Sequence, residues 1–155
     1  MYEFEGIKLN FFEAGEHPPS PLEFKALLTN ALTKLEIEFL ERMSPYFGAK
    51  SVPKPLQIDL RPMISIAGAD DERIYLWYID DRVIKDEDLL ILRHNCLHES
   101  GHHLHRFVNP DFSTQHGKGE GHYRLSENVA EFSALAFSEL TKRSIPKKVG
   151  TEKES

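Results

Sequence analysis

Leu28, Leu32, Leu35, Phe39 and Met43 recur at intervals of three and four residues. That is the period of a single helix face, and the stripe should pack into a core. The run is bracketed on both sides. Ser20 can cap it, Pro21 suits the first helical position, and Glu23 follows the cap by three residues, as in a capping box. Pro45 ends it, so the pattern predicts a helix over about 21–43.

Beyond the connector SVPKP the period changes. LQIDL (56–60) alternates, MISIA (63–67) is mostly apolar, and RIYLWYI (73–79) is aromatic and β-branched, as strands favour. GADDE (68–72) reads as a hairpin turn between the second and third runs. A further strand is expected in FEGIKLNFF (4–12), ahead of the breaker HPPSP. The three central runs predict a small, mostly antiparallel sheet.

A helical period returns in DEDLLILRHNCLHESGHHLHRFV, with Asp86 placed to cap an acidic first turn and Asn109-Pro110 to end it. Leu90, Leu97, Gly101 and Leu104 form one stripe and Leu89, Leu92, Cys96 and Phe107 another, which predicts a helix buried in the domain centre. His94, His98, His102 and His105 lie on one narrow face between the stripes, while His103 points elsewhere. The stretch 110–122 reads as a long glycine-rich loop. Its GKGEG neither follows a strand nor ends in Lys-Ser/Thr, so it is not a phosphate loop. LSENVAEFSALAFSELTKR predicts a last helix over about 125–143, and residues 146–155 form a flexible polar tail.

Together these elements describe one α+β domain over 1–145, with residues 1–19 as an N-terminal extension. The 155-residue length fits a single domain, and the 40% hydrophobic and 28% charged composition is that of a globular protein. The net charge of −6 offers no attraction to nucleic acid or to an anionic membrane surface. With Cys96 the only cysteine, no internal disulfide is possible, and the opening MYEFEGIKLN lacks the basic and apolar regions of a signal peptide. A cytoplasmic location is the expectation.

The helical face is where chemistry enters. His98-Glu99-Ser100-Gly101-His102 reads as H-E-x-x-H. Imidazoles four residues apart project from the same side of a helix, so both can reach one ion at the roughly 2.0–2.1 Å that zinc prefers. Glu99 is turned toward the same ion and is placed to take the proton of a water held there. Burying several histidine rings on one face without such a partner would be costly.

A catalytic zinc needs a third protein ligand. The extended motif with a third histidine six residues on is closed, because Val108 and His105 occupy the positions where it needs His and Gly. The alternative is a carboxylate from the last helix, where Glu127 and Glu131 share a face. One can ligate while the other accepts the outer N–H of a ligand histidine, and Glu127 is the preferred ligand. The small Ala130, Ser133 and Ala134 would let that helix approach Gly101 closely.

HESGH followed by ENVAEFSAL resembles the gluzincin metallopeptidases, and most of all the minigluzincins; it is also similar to peptidases of the ImmA/IrrE type. The resemblance is sharp over 98–102 and 127–132 and architectural over about 21–143. It implies a zincin-like fold and a zinc-dependent endopeptidase holding one zinc ion, with His98, His102 and Glu127 as ligands. Glu99 would be the general base and Glu131 the outer partner. It also implies that strand 73–79 is a sheet edge to which a peptide or protein substrate adds by main-chain pairing. Gluzincins bring a Tyr or His to the oxyanion, for which His116, His122 and Tyr123 are the candidates. Two rivals are a latent form, its cleft filled by the loop, the N-terminal segment or the tail, and a zinc-stabilised binding module. A purely structural site has no use for Glu99.

Overall fold

The computed structural model describes residues 2–4, 7–9, 21–62, 67–69, 72–78, 86–110 and 120–144. Two short strands, β1 (Tyr2–Phe4) and β2 (Ile7–Leu9), pair antiparallel, with Phe4 opposite Ile7. The single strand expected over 4–12 is therefore a hairpin, with Gly6 between the two paired stretches.

Helix α1 (Pro21–Met43) has the predicted bounds, and Leu28, Leu32, Leu35, Phe39 and Met43 are all buried. A 3-10 turn (Ser44–Phe47) follows and is closed by Gly48, whose φ of 73° is open to glycine at no steric cost.

The sheet differs from expectation in direction. Strand β3 (Gln57–Pro62) pairs parallel with β5 (Arg73–Tyr78), while β4 (Gly68–Ala69) pairs antiparallel with β5 on its other side. The order is β3-β5-β4, a mixed sheet. Alternation reveals which face a strand buries and carries no record of its direction, since the period is two either way. Parallel register sets Ile58 beside Ile74 and Leu60 beside Leu76, and all four are buried. Gly68 and Ala69, expected in the turn, belong to a strand; residues 63–66 of the expected MISIA strand, and Asp70 and Asp71 of the turn, lie outside the described residues. The expected edge strand is corrected too. Strand β5 is paired on both sides, and the edge on that side of the described sheet is β4.

Helix α2 (Asp86–Val108) packs against α1, α3 and the sheet, so it is the central element expected. Leu89, Leu92, Cys96, Leu97 and Leu104 are buried, yet Leu90 and Phe107, assigned to the inner stripes, are exposed. Leu89, beside Leu90 and nearer the helix end, is buried, so what differs is the face of the helix each occupies. Helix α3 (Glu120–Ser144) starts five residues before the predicted position, with an acidic residue at its positive end. Its first turn takes in Gly121, His122 and Tyr123, which glycine content alone had suggested were loop. No helix among the described residues is long and apolar enough to cross a membrane.

Candidate metal centre

Helices α2 and α3 meet where side chains are smallest. A Cβ built on Gly101 would stand 3.0 Å from the Ala130 Cα and 3.1 Å from its carbonyl oxygen. Ala130, Ser133 and Ala134 are buried against this spot, as their size predicts. The close approach brings the histidine face of α2 up to the glutamate face of α3.

His98 and His102 stand one turn apart with ring centroids 4.9 Å from each other, edge to face. Glu127 reaches both: Oε1 lies 3.0 Å from His98 Nε2 and Oε2 lies 2.8 Å from His102 Nε2. Ligand atoms from these three residues fall within 4.8 Å of one another, so the group can hold a metal ion.

The outer nitrogens are engaged as well. His98 Nδ1 is 2.9 Å from Glu131 Oε1, and His102 Nδ1 is 3.2 Å from the buried Ser126 hydroxyl. Such outer partners fix the tautomer and orientation of ligand imidazoles. The donor set itself fits a cation. A neutral imidazole has one N–H, yet both nitrogens of His98 face carboxylate oxygens. A second proton would satisfy that pattern. So would a cation on the Nε2 side, with Nδ1–H donating to Glu131.

Burial lowers the His102 pKa to about 4, with Glu127 opposing and His98 reinforcing, so at neutral pH the ring is in the uncharged form a metal requires. Burial raises Glu99 to about 7; His98 and Arg106 pull it down and Glu127 pushes it up. For Glu131 burial also pushes upward, but hydrogen bonds and charge attraction from His98 and His94 together hold the carboxyl below its usual value.

The group opens into a cleft of about 440 Å³, with Glu99, Tyr123 and the stretch Ala67, Gly68 and Ala69 in its lining. Comparison with protein-family models, with curated proteins and with solved structures finds no match to this chain.

Of the expected site residues, His98, His102 and Glu127 converge, Glu99 and Tyr123 line the cleft, and Glu131 takes the outer position. His116 lies outside the described residues, as does the side chain of His122. Three contacts go beyond the pairings assigned from the sequence. Ser126 backs His102, although its place just before Glu127 on the same helix was a usable signal. His94, one turn before His98, contacts both oxygens of Glu131 at 3.0 Å. His103, left without a role by the motif, donates from Nε2 to the Lys54 carbonyl at 2.9 Å and ties α2 to the connector before β3.

Proposed function

We propose that the chain is a zinc-dependent endopeptidase. The observation that carries this reading is the convergence of two imidazole Nε2 atoms and one carboxylate beside the buried Glu99, in the wall of an open cleft. His98, His102 and Glu127 would hold the ion. Two imidazoles with one carboxylate suit zinc, and three protein ligands are the complement of a catalytic rather than a structural site. When bound, zinc supplies Lewis acidity and lowers the pKa of a water.

Glu99 then accepts the proton of the attacking water and returns it to the departing amine. A carboxylate so placed can take a proton and give it back in the same cycle. Tyr123, half exposed one turn before Glu127, offers a phenolic O–H to the negative charge that develops on the substrate carbonyl oxygen. An extended substrate would pair with the outer edge of β4, which is unpaired among the described residues and borders the cleft. The small side chains of Ala67 and Ala69 leave room for the substrate's own. The resemblance of HESGH and ENVAEFSAL to gluzincins supports the same assignment. The segments assigned to a latent form lie wholly or mostly outside the described residues.

The test is digestion of a mixed peptide library by the zinc-loaded chain, with Glu99→Gln as control. Internal cleavage by wild type and none by the variant supports the reading. Cleavage by both, or by neither, overturns it.

A further inference from the structure

We propose that His94 is a positioning residue of the metal centre, acting on His98 through Glu131. The inference rests on the metal-binding reading of the site and goes beyond its catalytic assignment. His94 lies one helical turn before His98 on α2, and its Nε2 stands 3.0 Å from both Oε1 and Oε2 of Glu131. Glu131 Oε1 is in turn 2.9 Å from His98 Nδ1. A continuous chain of contacts thus runs from His94 through Glu131 to His98 and on to the point where Glu127 meets His102.

The need for His94 follows from the freedom of Glu131. Its side chain is 46% exposed, so water competes for the carboxylate. A glutamate held by one hydrogen bond gives up substantial rotamer entropy to stay there. With His94 Nε2–H shared between the two oxygens, the carboxylate is held from two successive turns of α2. Its Oε1 then faces His98 Nδ1–H, which keeps the Nε2 lone pair turned inward. Outer partners of this kind raise ligand basicity and affinity. The other role open to His94 is a plain cross-link between α2 and α3, and that role makes no demand on the metal.

The two roles separate by measurement. Zinc affinity is read by competition with a chromophoric chelator, and ligand geometry by the visible absorption of the cobalt(II) form. His94→Ala is expected to weaken zinc about 10-fold and to shift the cobalt bands, the lower end of the range for losing an outer partner. His94→Gln, whose amide N–H sits where Nε2 does, should recover most of that loss. In a Glu131→Ala background the His94→Ala change should cost less than about twofold more, since neighbours acting in series are non-additive. Unchanged affinity and bands in His94→Ala, with only a lower unfolding midpoint, overturns the proposal in favour of the cross-link. A full second loss in the Glu131→Ala background also overturns it. Wild type that binds neither ion removes the metal reading and this inference together, whereas wild type that binds zinc but cleaves no peptide removes only the peptidase.

Discussion

Gly101 and Ala130 meet almost backbone to backbone: a Cβ on the glycine would stand 3.0 Å from the Ala130 Cα, and 2.5 Å from Ser133 Oγ. The serine hydroxyl can rotate away, but the Ala130 backbone cannot. Gly101→Ala gains about 1 kcal/mol of helix propensity and loses about 1–3 kcal/mol to overpacking. The expected outcome is lower stability in denaturant unfolding together with weaker zinc binding, as α3 carries Glu127 away from α2. A variant more stable than wild type with unchanged affinity would contradict the close approach.

Metal content is the most direct check on the centre. Purified protein should carry about one zinc per chain, and His98→Ala or Glu127→Ala should lose it. Zinc at a thousand times its dissociation constant should add about 4 kcal/mol to stability. Retention of zinc by His98→Ala would remove that residue from the ligand set.

Ser126 makes a finer prediction. Its hydroxyl is the neighbour of His102 Nδ1 at 3.2 Å, in a buried position. Ser126→Ala should weaken zinc about 10-fold while leaving the fold intact. An unaltered chelator-competition curve would mean that the hydroxyl does not orient the ring.

The carboxyl of Glu36 should leave a signature in stability against pH. The residue is buried in α1, and its Oε2 accepts the Leu56 N–H at 2.7 Å. Burial raises its pKa from 4.5 to about 7, against the lowering effect of that hydrogen bond. The folded chain therefore holds this proton more tightly than the unfolded one. Its contribution is fully present below pH 4.5, declines as pH rises, and is lost above about 7, a change on the order of 3 kcal/mol. Glu36→Gln should fall less steeply over that window and be more stable than wild type at pH 8. The slope that remains includes Glu99, which burial raises in the same direction. Parallel curves for wild type and Glu36→Gln would refute the assignment.

How far the chain could be read in advance follows from what each signal encodes. Helix α1 matched its prediction because local chemistry marks both ends, Ser20-Pro21 at one and Pro45 at the other. The cluster of His98, His102 and Glu127 was readable because helical spacing fixes the relation of His98 to His102, and small residues on two helices announced their contact. Strand direction was not readable, because β3 and β5 would alternate identically in either orientation. The start of α3 was misplaced because Gly121 weighs against helix locally, yet the helix runs through it. His94 lies on the predicted face, but only the position of Glu131 on another helix gives it a partner.

Helix α2 is wedged between α1, α3 and the sheet, and it carries both imidazoles of the centre. Its middle turns are deeply buried, with Cys96, Leu97, Ser100 and Leu104 all shielded from water. Amide protons of those turns should exchange only through cooperative opening of the whole domain. Exchange at those amides would therefore report the opening of the frame that carries both imidazoles, rather than fraying at the helix ends.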